Sequence, residues 1–180
     1  MRLASITLRN FKAIGDQPQT VELAPVTLLF GPNSAGKSTI LQALVFLREV
    51  IVRRNLDPDR TELGGDSLDL GGFMNLVHGR KLGVPIEVGV SLELGNTSLP
   101  DYLTRSDESL LENTLDNLTH PDEWLGEVSD VALSFRLLAG DDGPWLESLD
   151  VAINGEPFAR ISSDARGRRI VIDELDLLGD

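Results

Sequence analysis

The sequence predicts an α/β (α+β) protein with a strand–loop–helix unit near its start and an antiparallel β-meander after it. Three observations predict this. A continuous apolar run, Val26 to Phe30, enters a glycine-containing loop that opens a long apolar stretch of helical length. Two segments, Leu3 to Leu8 and Ile86 to Leu94, alternate with the period of a half-buried strand. Beyond residue 127, short alternating segments are separated by turn residues, and Asn154-Gly155 between two apolar runs is a hairpin signal.

Taken in order, residues 1–56 hold two strands, the loop and the first helix. Leu3 to Leu8 is the first strand, Gly15-Asp16 a turn, and Thr20 to Leu23 a short second strand. Pro25 punctuates, and Val26-Thr27-Leu28-Leu29-Phe30 has the continuous apolar character of a strand buried on both faces. The helix begins at Lys37, and the stretch from Thr39 to Arg54 is apolar nearly all round, as in a core helix. Residues 57–100 begin with an Asp- and Gly-rich loop (57–72), pass through a short helical turn at Phe73 to Val77 closed by Gly79, and end in the strand Ile86 to Leu94. Residues 101–126 read as an acidic helical insertion, with Leu111, Leu115 and Leu118 at i, i+4, i+7, Ser106 as N-cap and Pro121 as the stop. Residues 127–180 form the meander: Val131 to Leu138, Leu146 to Ile153, Pro157 to Ile161 and Arg169 to Ile172.

Composition narrows the function. The 180 residues are 41% hydrophobic and 25% charged, which suits a globular core. Sixteen Lys+Arg against 29 Asp+Glu leave a net charge of −13. A free-standing nucleic-acid binder gains affinity by neutralising phosphates, so this balance argues against DNA binding by this stretch alone, and against an anionic membrane surface. The absence of cysteine excludes disulfides, thiolate zinc sites and a cysteine nucleophile. Two histidines, His78 and His120, are too few for most histidine metal sites. The N-terminus has no signal-peptide apolar region, and no apolar run approaches membrane-spanning length. The expectation is a cytoplasmic protein with no membrane partner.

One motif carries chemistry. Gly31-Pro32-Asn33-Ser34-Ala35-Gly36-Lys37-Ser38 satisfies G-x-x-x-x-G-K-[ST] at every position, with Thr39 following. From ordinary residue abundances, chance would produce it in roughly 1 in 30,000 windows. Glycine at 31 permits a tight exit from the strand, and glycine at 36 lets backbone N–H groups approach a phosphate. Those groups and the start of the helix make an anion cradle. Lys37 would reach the β- and γ-phosphates, and the Ser38 hydroxyl would ligate Mg²⁺. The motif therefore points to ATP with Mg²⁺. The plain alternative is a glycine-rich turn between strand and helix.

Two strands before such a loop, in the form LASITLRNFKAI…VELAPVTLLFGPNSAGKSTILQAL, resemble the N-terminal head segment of ABC-type ATPases of the RecF/SMC class. The sequence is most similar to the bacterial AAA-type ATPases grouped with the OLD family. Asn10-Phe11-Lys12 looks like the I-x-N-F-(R/K) element of that family, and DLGGFMNLVHGR (residues 69–80) like a segment that recurs after its first helix. The resemblance implies a P-loop NTPase fold: an N-terminal lobe with a mixed sheet, the P-loop helix and an antiparallel meander. It implies base or phosphate contacts for Asn10, Phe11 and Lys12, with an ordinary core aromatic as the alternative for Phe11. It also implies hydrolysis in a head-to-head dimer, self-association, and DNA or a nuclease as partner of the full protein.

This sequence departs from the pattern in places. No glutamine follows Gln42, and no signature segment like LSGGQ is present. The one string like a Walker B strand is Ile170-Val171-Ile172-Asp173-Glu174, where Asp173 would hold Mg²⁺ through water and Glu174 would polarise the attacking water. The alternative is a last meander strand with a polar end. The economical expectation is the N-terminal half of a larger ATPase that binds ATP but turns it over poorly by itself. Two other classes stay open: a complete small phosphotransferase or GTPase, and a non-catalytic interaction module with a relic nucleotide site. Lesser signals are Arg160, Arg166, Arg168 and Arg169, which make a basic cluster on a hairpin face, and two Asn-x-Ser/Thr patterns at Asn96 and Asn117, taken as chance.

Overall fold

The alternation in the first strand becomes two faces. In the computed structural model, β1 (Arg2–Arg9) buries Ile6 and Leu8 completely and turns Ser5 and Thr7 to the open side of a sheet. The structure describes residues 1–33, 35–53, 55, 62–63, 66–67, 70, 72–95, 128–140, 143–164 and 169–175. After β1 come β2 (Gln19–Glu22), α1 (Lys37–Arg53), a small hairpin β3 (Glu62–Leu63) and β4 (Asp66–Ser67), α2 (Gly72–Leu76) and a 3₁₀ turn, His78–Arg80. The chain ends in β5 (Ile86–Glu93), β6 (Asp130–Gly140), β7 (Gly143–Ile153), β8 (Glu156–Ser163) and β9 (Ile170–Leu175).

Seven strands form one sheet in the order β2-β1-β5-β6-β7-β8-β9, and every pairing in it is antiparallel. Register places buried residue opposite buried residue, as with Ile6 and Val90 across β1 and β5. The core lies on one side of this sheet. Ile40, Ala43, Phe46 and Leu47 of α1 and Phe73 and Leu76 of α2 cluster with Ile6, Leu8, Ile86, Val88, Phe135 and Leu137 of the strands. At position 49 the buried side of α1 also carries a carboxylate, which pairs with Arg53 one turn later at 3.5 Å. Across the open side runs a charge ladder. Arg9 pairs with Glu87 at 3.2 Å, Glu87 with Arg136 at 3.7 Å, and Arg136 with Glu147 at 3.0 Å, linking β1, β5, β6 and β7. Exposed pairs contribute at most about 1 kcal/mol each, so the ladder sets register more than stability.

The α/β assignment and the meander hold, and the four meander strands lie at their expected positions and run slightly longer. Four expectations are corrected. The sheet is antiparallel rather than mixed. Residues 26–30 form no strand: Val26, Leu28 and Phe30 are 79%, 71% and 86% exposed. The physical reason is that no described strand pairs with them, and an apolar run without a ladder partner has no extended geometry to lock into. Helix α1 is one-sided rather than a buried core helix, with Leu41, Ile51 and Val52 exposed. Within the expected loop 57–72, β3 and β4 pair. The acidic insertion 101–126 lies outside the described residues.

The β7–β8 hairpin turns at Asn154 (φ 51°) and Gly155 (φ 85°), the positive-φ pair of a type I′ turn. A Cβ at Gly155 would meet nothing within 4 Å, so alanine there tests backbone conformation alone. Gly155→Ala is expected to lower stability by about 1–2 kcal/mol. Gly83 also faces open space but without a positive φ, so Gly83→Ala should cost nothing or add about 0.4–1 kcal/mol. Urea midpoints of the two variants check this. Equal shifts would show that the turn tolerates a side chain.

Candidate functional site

The loop before α1 is shaped by its glycines. Gly36 has φ +88°, a conformation that residues with a Cβ rarely adopt. At Gly31 a Cβ would come within 3.3 Å of the Ala35 side chain. Thr39 and Ile40 donate their N–H groups to the Gly36 carbonyl at 3.0 and 3.3 Å, which starts the helix. The first N–H groups of any helix have no intrahelical acceptor, so this end attracts anions. Lys37 Nζ donates to the carbonyls of Gly31 (2.7 Å) and Pro32 (2.6 Å), bending its ammonium back over the loop mouth. Ser38 is exposed at the helix start, and Thr39 is buried. Ser34 lies outside the described residues.

A cleft of about 720 Å³ opens beside this loop, within the usual size of small-molecule sites. Asn33, Gly36, Lys37, Ser38 and Thr39 line one wall. Lys12 and Ala13 from the bend after β1, with Met74, Asn75, Val77, Gly79 and Arg80, line the other. Three of these residues are cationic (Lys12, Lys37 and Arg80), and none of the described lining residues is a carboxylate. In a chain of net charge −13 this is a local reversal of sign that favours an anionic ligand.

The second wall is built from strained backbone held by its neighbours. Asn10 (φ 52°) and Lys12 (φ 49°) take left-handed conformations, and between them Phe11 is fully buried. Its ring meets Phe46 at 6.3 Å between centroids, and its backbone bridges Val77. Lys12 N donates to the Leu76 carbonyl (2.6 Å), and His78 N donates to the Asn10 carbonyl (2.9 Å). His78 Nδ1 donates to the Lys12 carbonyl at 2.8 Å, the only direction open when the acceptor is a carbonyl. The bend and the α2–3₁₀ segment are thus zipped together.

Of the three residues expected at the nucleotide, only Lys12 lines the cleft. Phe11 is a core aromatic, because its ring completes the packing of α1. Asn10 is 9% exposed, and its Nδ2 donates to the Pro85 carbonyl at 3.0 Å, so its side chain is committed to structure. Asp173 and Glu174 lie in β9, the exposed edge strand, with four strands between it and β1. There Glu174 is in register with Arg160, and neither acid lines the cleft. Hydrogen bonding to Asp150 holds the Arg160 guanidinium above its ordinary pKa, with Glu174 and Asp173 adding to it. Arg160, one of the two described members of the basic cluster, therefore faces acids. Arg166 and Arg168 lie outside the described residues.

Sequence reasoning missed Met74, Asn75 and Arg80 as cleft residues. The one available signal was the 69–80 segment, which stood out as a unit without a stated role. For Mg²⁺, the described residues hold no group of three or more His, Asp or Glu side chains that could bind a metal alone. An exposed Ser38 hydroxyl at the cleft fits a cation that arrives with phosphate oxygens and takes one protein ligand. Among the described residues, no helix is long and apolar enough to cross a membrane.

Comparison with known proteins follows this geometry. The chain is 33% identical over 93 residues to the DNA replication and repair protein RecF of Thermosynechococcus vestitus, an alignment covering 51% of this chain and 23% of that protein. It thus spans less than a quarter of that relative's length. Among solved structures, a chain from work on ATP-driven dimerization and DNA-stimulated activation of SMC ATPases aligns with a TM-score of 0.46 at 15% identity, covering 87% of this chain and 72% of that one. An SMC head bound to the C-terminal winged-helix domain of ScpA aligns at 0.38 and 16% identity, covering 87% and 36%. The family description AAA ATPase domain matches residues 1–119, two strands, the glycine-containing loop and the first helix included, and the chain belongs to that family.

Proposed function

We propose that this chain binds Mg-ATP through residues 31–39 as the nucleotide-binding part of a RecF/SMC/OLD-like ATPase. One observation carries the proposal. A complete G-x-x-x-x-G-K-S loop opens α1 beside a cationic cleft whose described lining holds no carboxylate. The loop's backbone N–H groups and Gly31, Pro32, Asn33, Ser34, Ala35 and Gly36 would cradle the phosphates. On binding, Lys37 would exchange its two carbonyl acceptors for phosphate oxygens, which are stronger acceptors for an ammonium. Mg²⁺, when bound, would neutralise phosphate charge, and Ser38 would hold it in place.

Hydrolysis needs a group that orients the attacking water, and the described cleft supplies none. Head-to-head pairing of two copies is the arrangement the resemblance implies for supplying it. DNA or a nuclease would be engaged by other parts of such an assembly. We place this activity in the bacterial cytoplasm.

The test separates metal from phosphate recognition. Ser38→Ala should weaken ATP binding about tenfold in Mg²⁺, the loss of one hydroxyl ligand, and hardly at all in EDTA. Isothermal titration of both proteins in both buffers measures this. Equal losses in the two buffers would remove Ser38 from the metal site. No ATP binding by the wild-type chain would end the proposal.

A further inference from the structure

We propose that Arg80 is a phosphate-binding residue that grips the polyphosphate tail from the wall facing the loop; this rests on the ATP-binding proposal above. Arg80 ends the 3₁₀ turn with φ +58°, directly after Gly79 at +61°. Left-handed backbone is unfavourable for a residue with a long side chain, and glycine would adopt it freely. Non-glycine residues in this conformation number four among the described residues, and three of them, Asn10, Lys12 and Arg80, belong to the one zipped wall. Such strain, concentrated beside a cleft, is a mark of a functional site.

The side chain is in the right place and, among the described residues, is uncommitted. Arg80 lines the same cleft as Lys37 and Ser38. Arg2, Arg9, Arg53, Arg136 and Arg160 each pair with a carboxylate, whereas Arg80, like Arg48 and Arg169, makes no ion pair among the described residues, and of these three only Arg80 lines the cleft. Its backbone is fixed by hydrogen bonds rather than by its side chain: Arg80 N donates to the Val77 carbonyl at 3.2 Å, and His78 is anchored to Asn10 and Lys12. A rigid mount whose guanidinium makes no ion pair among the described residues, over a cleft whose described lining holds no carboxylate, is suited to a phosphate. The planar fork can hold two phosphate oxygens through parallel N–H groups of fixed geometry, an orientation that the rotating ammonium of Lys37 does not impose. The loop and α1 enclose the tail from one side, so a group on the opposite wall meets the oxygens they leave uncovered.

The experiment uses two variants and two probes on the full chain. Arg80→Gly removes the guanidinium while suiting the backbone, and Arg80→Lys keeps charge without the fork. ATP and inorganic tripolyphosphate are titrated into each, with Lys37→Ala alongside and thermal melts of every protein. Arg80→Gly should melt no lower than the wild type yet bind both probes about tenfold more weakly, and Arg80→Lys should fall between. Wild-type affinity in Arg80→Gly, with both probes lost in Lys37→Ala, would overturn the role of Arg80 and leave the loop assignment standing. Wild-type affinity in Lys37→Ala would overturn both. A loss of affinity accompanied by a lower melting temperature would make Arg80 a structural residue and overturn the proposal.

Discussion

Lys37→Ala is expected to weaken Mg-ATP binding by about 100-fold while leaving the fold intact. A charge-assisted hydrogen bond is worth about 1.5–3 kcal/mol, and its loss inside a cleft carries the upper end of that range, near two powers of ten in affinity. The fold should survive because, among the described residues, the Lys37 ammonium bonds only the carbonyls of Gly31 and Pro32 at an exposed loop. Calorimetry gives the affinity, and circular dichroism gives the fold. Wild-type affinity in the variant would mean that phosphates do not lie in this loop.

Turnover by the chain alone is expected to stay near background. P-loop catalysis rests on positioning and on electrostatic stabilisation of the transferring phosphoryl group, and a cationic finger alone can supply about 10³–10⁵ in rate. The described cleft offers cations for binding but no carboxylate to orient water, and Asp173 and Glu174 stand on the far edge of the sheet. Phosphate release should therefore remain well below about 1 s⁻¹, the low end of typical enzymes. Glu174→Gln should release phosphate at the wild-type rate. A rate above that mark which vanished in Glu174→Gln would make the β9 acids catalytic and refute this account.

How much was legible in the sequence divides by the range of the interaction. The conformation of the loop before α1 was legible because each of its requirements is local: glycine where φ turns positive, lysine and serine at a helix start. The meander was legible because alternation and turn residues are local too, and Asn154-Gly155 turned where its chemistry required. Residues 26–30 were misjudged because an apolar run states a capacity for burial, and burial needs a partner that only the three-dimensional arrangement supplies. Phe11 was ambiguous because a motif aromatic and a core aromatic look alike until Phe46 is seen beside it. Arg80 was invisible for the opposite reason: its position depends on contacts between residues 10–12 and 76–80, more than sixty positions apart in the chain.

The bare stretch at 26–30 has a colloidal consequence. Its main-chain donors and acceptors belong to no ladder among the described residues, which makes it a short-range adhesive edge. Pro25 and Pro32, which have no N–H to donate, bracket it and cap how far any pairing could spread. Against this local stickiness stands the long-range repulsion between chains of charge −13, which extends over a screening length of about 8–10 Å at ordinary ionic strength. Salt shortens the repulsion and leaves the adhesion untouched. Ionic strength is therefore the variable that decides whether two copies of this molecule ever come close enough to test each other's edges.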